Sequence, residues 1–285
     1  MSTDERAMFI GAWQARVGAA PREFDLPALA AIDAAATVRA QVGVVSMGNR
    51  AEAHSSAMAP DIDDRVGIHV ATRVADATGA RYLGHCPFAT DRLGGLAQVW
   101  SPACESVDQF LAKTHEFLAR LLAVTGPVAE VWLLSGHGGN GAIEPHLPRL
   151  AEALGLTRLA YHLALRVPPE LPHLNTQHAG DLEHSVAKAL GPGAFDQAAF
   201  DRLCARLATD VEGVLRDEPA LGGMAGYYLL GDDRFAPMRA RYPGVKSSVR
   251  ALVEGRTLTA DAELGRRVLE HTVASLAAEL RASPR

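Results

Sequence analysis

What constrains this chain most is the order of its short apolar runs and amphipathic stretches. "VGVVSM" (Val42–Met47) and "VWLLSG" (Val131–Gly136) fall far below the roughly 20 residues of a membrane span and fit strands buried on both faces. Between them, "DDRVGIHVATRVADATG" places Val66, Val70, Val74 and Ala77 at helical spacing behind an acidic first turn. "ARYLGHCP" reads as a short strand and "SVDQFLAKTHEFLARLLAV" (Ser106–Val124) as a helix; after the second apolar run come a partly helical return, "NGAIEPHLPRLAEALG", and another strand, "TRLAYHLALRV". Strands alternating with helices predict βαβ units: an α/β fold whose mainly parallel sheet is covered by helices.

Beyond Phe200 the pattern is helical to about Val214, then Gly/Tyr-rich in "LGGMAGYYLLGDD", with a final helix near Ala260–Ala282. Ahead of Val42, an Ala-rich amphipathic stretch (Leu26–Ala40) predicts a helical extension over about 1–40. No composition break marks a linker and no repeat interrupts the chain, which predicts one domain over 1–285.

A net charge of −5, with no long run of Lys or Arg, argues against a nucleic-acid partner. The first residues lack an apolar signal core and no run is long enough to enter a bilayer, so a cytoplasmic protein is expected, with no membrane partner. Cys86, Cys104 and Cys204 are widely spaced and form neither a disulfide framework nor a thiolate metal site.

Ligands of such sheets sit beyond the carboxyl ends of the strands. Three segments there carry donor side chains and are read as loops: "NRAEAHSSAMAPDIDD" with Glu52, His54, Asp61, Asp63 and Asp64; "GHGGN" with His137; and "NTQHAGDLEHS" with His178, Asp181, Glu183 and His184. Glu52 and His54 share one face of an extended segment. Asp63 or Asp64, at the start of the next helix, could return a carboxylate to the same place. Carboxylates with neutral imidazoles suit zinc, manganese or ferrous iron, and a carboxylate bridging two such ions would let them activate a water and polarise a carbonyl together. Each piece has a plainer reading: a solvated Glu-x-His, an N-cap at Asp61–Asp64, a turn histidine, or an anion nest at the glycines. His69, His115, His146 and His271 fall in helical or near-helical patterns and read as packed or surface residues.

Together "MGNRAEAHSSAMAPDID", "LLSGHGGN" and "HAGDLEHS", with the tail "GVKSSVRALVEGRTLTADAELGRRVLE", resemble the creatininase (creatinine amidohydrolase) family over about Val42 to Leu280. The resemblance implies a three-layer α/β/α fold with a mostly parallel central sheet, and a homo-oligomer, often a hexamer. It implies a centre of two divalent metal ions (Zn, Mn or Fe) in which Glu52 and His54 bind different ions, Asp63 bridges them, and His137 shares an ion with Glu52. Creatininase has a glutamate where this chain has Gly139, and Glu183 is the replacement ligand expected here. His178 matches the family's proton shuttle, and His178 or Glu183 would protonate the leaving nitrogen once a metal-bound hydroxide has attacked the carbonyl of a small-molecule amide. Ser55 stands where many relatives have glycine, and the aromatic loop that clamps creatinine is not recognisable. "MAPDIDDRVGIHVATRVADATGARYLG" looks closer to the archaeal formylamino-pyrimidine deformylase branch, and another branch trims peptides. The alternative is a non-catalytic small-molecule or subunit-binding protein on the same fold, its mark a centre left one ligand short at Gly139. Specificity is expected from Phe88–Glu105, His162–Gln177 and "GGMAGYYLLGDDRF", with Asp91, Arg92, Asn175, Tyr227, Tyr228 and Arg234 as candidates.

Overall fold

The computed structural model describes residues 41–171, 178–243 and 245–283. The expected extension over about 1–40, and Asn175, lie outside the described residues. The strands are β1 (Val42–Met47), β2 (Arg81–Cys86), β3 (Ala89–Thr90), β4 (Cys104–Glu105), β5 (Glu130–Ser135) and β6 (Arg158–Leu163). The helices are α1 (Ile62–Thr78), α2 (Val107–Thr125), α3 (Leu147–Ala153), α4 (Asp181–Leu190), α5 (Gln197–Thr209), α6 (Val211–Asp217), α7 (Leu221–Leu229), α8 (Ala236–Arg241), α9 (Val245–Gly255) and α10 (Ala262–Ala282). The central sheet runs β2-β1-β5-β6 with every pair parallel, and β3 and β4 form a small side sheet.

Successive strand residues point to opposite faces, and both faces are covered. Val44, Trp132, Leu134 and Ala160 pack in one core with Val66, Val70 and Val74 of α1, Leu182 and Val186 of α4, and Val268 and Leu276 of α10. Val45, Val131, Leu133 and Leu159 pack in another with Phe110, Leu118 and Leu121 of α2 and Leu150 of α3. Each fully buried Leu, Val or Phe contributes about 1.5–3 kcal/mol, so the sheet lies fixed between two helical layers, the α/β/α arrangement expected. Helix α2 begins where the sequence places it, at a capping box of Ser106 and Gln109. A third cluster, with Ala53, Trp100, Tyr227, Phe235 and Met238, roofs the loop that follows β1.

Two local expectations change, and a third segment takes a form its composition alone did not assign. The strand expected over "TRLAYHLALRV" stops at Leu163 because its neighbour β5 ends at Ser135; the Arg166 amide instead donates to Thr272 Oγ1 of α10 at 3.0 Å. "HAGDLEHS", read as a loop, is a turn followed by the first turn of α4, whose Leu182, Val186 and Ala187 are buried. The Gly/Tyr-rich segment forms α7, kinked where Gly222, Gly223 and Met224 adopt left-handed φ values.

Candidate metal centre

The loops leaving the parallel strands gather at one end of the sheet. The loop after β1 carries Glu52 and His54, the first turn of α1 carries Asp63, the turn after β5 carries His137, and the entry to α4 carries His178 and Glu183. All but His178 and Glu183 are at least 95% buried. The first turn of α1 presses against the end of β5 so closely that a Cβ on Gly136 would stand 2.1 Å from the Asp63 carbonyl oxygen; the glycine there is a packing requirement. Asp61 takes the N-cap position of α1, with Asp63 and Asp64 in the first turn, but it makes no side-chain cap bond and instead accepts from Arg65 Nε at 2.8 Å.

The six residues converge. Glu52 Oε2 lies 2.6 Å from His137 Nδ1. Asp63 faces two imidazoles, Oδ2 at 3.3 Å from His137 Nδ1 and Oδ1 at 3.3 Å from His54 Nε2. Glu183 Oε2 is 3.7 Å from His54 Nε2, and His178 Nδ1 is 3.8 Å from Glu52 Oε1 and 4.0 Å from Glu183 Oε2. Two sets have donor atoms mutually within 4.8 Å: Glu52, Asp63 and His137, and Glu52, His54 and His178.

Each imidazole is held through its other nitrogen by a main-chain carbonyl. His137 Nε2 lies 3.0 Å from Thr90 O, His54 Nδ1 3.3 Å from Glu52 O, and His178 Nε2 2.6 Å from Ala53 O. A ring N–H donated to a carbonyl fixes the tautomer and turns the second nitrogen's lone pair toward the carboxylates, the arrangement of metal-ligating histidines. Asp63 Oδ2 is buried and accepts no hydrogen bond among the described residues. Such an atom costs free energy unless a cation meets it.

The electrostatics express the same demand for positive charge. Burial alone would lower His54, yet the Asp63, Glu183 and Glu52 carboxylates push it up to about 10. Burial would raise Asp63, but His54 and His137 hold it well below the usual carboxylate range. Burial raises Glu52 and Glu183. His178 falls to about 4 through burial and the neighbouring His54, whose ring centroid is 4.3 Å away. Oxygen and imidazole donors without thiolate fit a divalent ion such as zinc, manganese or ferrous iron.

Gly139 has no room for the glutamate of creatininase: a Cβ there would stand 2.3 Å from His137 Nε2, 2.6 Å from Thr90 O and 2.8 Å from Asp91 Oδ2. The other acidic candidates and His184 sit outside the convergence. Asp64 pairs with His85 at 3.3 Å, Asp181 accepts from the Thr259 amide, and His184 takes part in hydrogen bonds with Ser55 Oγ and Gly180 O. None of His69, His115, His146 and His271 joins the two donor sets. A cavity of about 560 Å³ opens onto the centre, lined by Asp91, Arg92 and Tyr228 among others. Tyr227 is buried against Trp100, and Arg234 is paired with Asp232 outside the cavity.

Sequence reasoning assigned no role to Asn140, Thr90 or Asn49. Asn49 Nδ2 donates to Glu52 Oε2 at 3.2 Å. Asn140 Oδ1 accepts from the Thr90 amide, and its Nδ2 donates to Gly48 O and Ser135 Oγ, joining the exit of β1, strand β3 and the end of β5. The signal was the asparagine closing "GHGGN", an amide side chain set among glycines directly after a strand.

No family model matches the chain. Over 151 residues, 53% of this chain and 59% of the relative, it is 24% identical to the 2-amino-5-formylamino-6-ribosylaminopyrimidin-4(3H)-one 5'-monophosphate deformylase of Methanobrevibacter ruminantium. Over the same shares it is 28% identical to the enzyme of that name from Methanothermobacter thermautotrophicus. The match thus spans about six-tenths of these curated relatives' length. Among solved structures, a putative creatinine amidohydrolase from Bacteroides fragilis superposes with a TM-score of 0.51 at 19% identity, covering 85% of this chain and 89% of that one. A mutant creatininase of zinc–zinc type (TM-score 0.50, 20% identity) and a manganese creatininase (0.51, 19%) each cover 85% of this chain and 90% of theirs. The chain therefore has the creatininase fold and, over about half its length, is similar in sequence to the formylaminopyrimidine deformylases, as its motifs predict.

Proposed function

We propose that this chain is a metal-dependent amidohydrolase that cleaves the C–N bond of a small amide or formamide at a centre of two divalent ions. The observation that carries the reading is the set of three imidazoles, each tied to a main-chain carbonyl through one nitrogen while the other turns toward three clustered carboxylates. Glu52, Asp63 and His137 would hold one ion, and Asp63, His54 and Glu183 the other, with the two oxygens of Asp63 facing different imidazoles. Bound ions supply acidity to a water and polarise the carbonyl. His178, whose Nε2 bonds Ala53 O, keeps a lone pair on Nδ1 near Glu183. It takes the proton of the attacking water there and returns it to the leaving nitrogen, with Glu183 as the second candidate for that transfer.

The kinship with deformylases supports a formamide among the substrates, and the zinc and manganese forms of the structural neighbours support those metals. Iron rests on the donor set alone. The non-catalytic alternative needed an ion left one ligand short at Gly139; Glu183, 3.7 Å from His54, favours the enzyme. A homo-oligomer belongs to the same reading and rests on the resemblance; light scattering tests its assembly. No helix among the described residues is long and apolar enough to cross a membrane.

Elemental analysis of the purified protein beside Asp63→Ala tests the centre. Close to two equivalents of Zn, Mn or Fe, lost in the variant, with formate or acid released from amides, is the expected result. No metal in either, even after Zn or Mn is added, overturns it.

A further inference from the structure

We propose that the substrate of this site carries an apolar body, aryl or branched alkyl, beside its scissile amide, and that phosphate-bearing amides are poor substrates; this rests on the amidohydrolase reading above. The cavity of about 560 Å³ falls in the size range of small-molecule sites, and its walls divide sharply by chemistry. Its floor is the cluster of Glu52, His137, His178 and Glu183, while Leu93, Val167, Met224 and Met238 stand in the walls. Leu163 and Tyr242, also lining it, are 41% and 36% exposed, two of the four exposed large hydrophobics among the described residues. Apolar groups left in water at the mouth of a cavity recover their hydration cost when an apolar ligand covers them.

The charges in the walls act against an anion. Arg92 is the cation lining the cavity among the described residues, and its Nη2 already donates to Gly141 O at 2.9 Å and Glu144 Oε1 at 3.1 Å. Asp91 and Glu144 line the same space. A phosphate monoester would have to displace an existing ion pair and sit beside two carboxylates, a cost that an uncharged aryl group does not meet.

The test compares two formamides in the zinc- or manganese-supplied protein: N-formylbenzylamine and O-phospho-N-formylethanolamine. Water adds to the formyl carbon, the C–N bond breaks, and formate and the amine, which gains the proton, are released in equal amounts. The benzyl compound is expected to show kcat/KM at least about tenfold higher, mainly through KM, the scale on which apolar pockets discriminate. Leu163→Asp, at an exposed rim position, should cut that preference to less than about threefold, and Leu163→Met should keep it. Equal or better turnover of the phosphate compound overturns the inference and leaves the amidohydrolase standing. If neither is hydrolysed, calorimetry with benzohydroxamate and acetohydroxamate decides. About tenfold tighter binding of the aryl compound, lost in Leu163→Asp, upholds the inference while formamide hydrolysis fails; equal affinity, or no binding, overturns it.

Discussion

Ser55 Oγ and His184 Nε2 lie 2.9 Å apart, 129 residues distant in sequence. His184 Nδ1 is 2.8 Å from Gly180 O, so the ring N–H donates there and the serine hydroxyl donates to Nε2. Ser55 stands beside His54 and His184 beside Glu183, so one hydrogen bond clamps the β1 exit loop to α4 where two proposed ligands of the same ion originate. Ser55→Gly, which introduces the glycine that the creatininase resemblance implies at this position, is expected to cost about 1 kcal/mol in urea unfolding. It should also weaken zinc binding roughly tenfold, the scale of outer-shell substitutions. Unchanged affinity in a zinc titration would dismiss the clamp.

Gly139 gives a second expectation. A Cβ there would meet His137 Nε2 at 2.3 Å and the Thr90 carbonyl at 2.6 Å, the two atoms whose hydrogen bond orients the ring. Gly139→Glu, which puts back the creatininase ligand, should displace His137 instead of supplying a donor. It is expected to lose bound metal and about 1–3 kcal/mol of stability, as overpacked sites do. A variant holding two equivalents with native stability would contradict this.

The sheet and its flanking helices were legible because their signals are local: β1 and β5 are apolar runs, and α1 shows Val66, Val70 and Val74 on one face. The positions of Glu52, His54, Asp63 and His137 followed from the ends of those elements together with the family spacing. What escaped depends on distant contact. α4 is ten residues long, too short for a firm helical period beside its glycine, and α9 lay in a tail matched only by resemblance. Nothing near Ser55 announces His184, and the crowding at Gly139 comes from Thr90 and Asp91 on another loop. Asp61 resembled a cap by type and position, but a nearby arginine took its carboxylate.

Asn140 is completely buried and bonds Thr90 N at 3.0 Å, Gly48 O at 2.9 Å and Ser135 Oγ at 3.2 Å. Its truncation strands buried partners beside β1, in β3 and at the end of β5, one of them the Thr90 segment whose carbonyl orients His137. Asn140→Ala should cost about 2–4 kcal/mol and weaken metal binding. Asn140→Asp, of equal size, should not rescue it, because a carboxylate facing the Gly48 carbonyl cannot donate. Urea titration of the pair checks both; a near-native Asn140→Asp would show that shape, not donation, matters.

Away from the centre, His162 stacks on Trp132 with ring centroids 4.3 Å apart. Burial first, then Arg166 and Arg158, lower its pKa to about 4 against the opposing pull of Glu279. The unfolded chain therefore binds a proton near pH 6.5 that the folded chain refuses until about 4. Stability from this group is complete above pH 6.5 and drains away as pH falls through that window. His162→Phe keeps the stack and removes the titration. Between pH 7 and 4 the wild type should lose roughly 1–2 kcal/mol more than the variant, an amount discounted for partial solvent access. Parallel stability profiles in urea across that range would show that His162 protonates in the folded chain at its ordinary pKa.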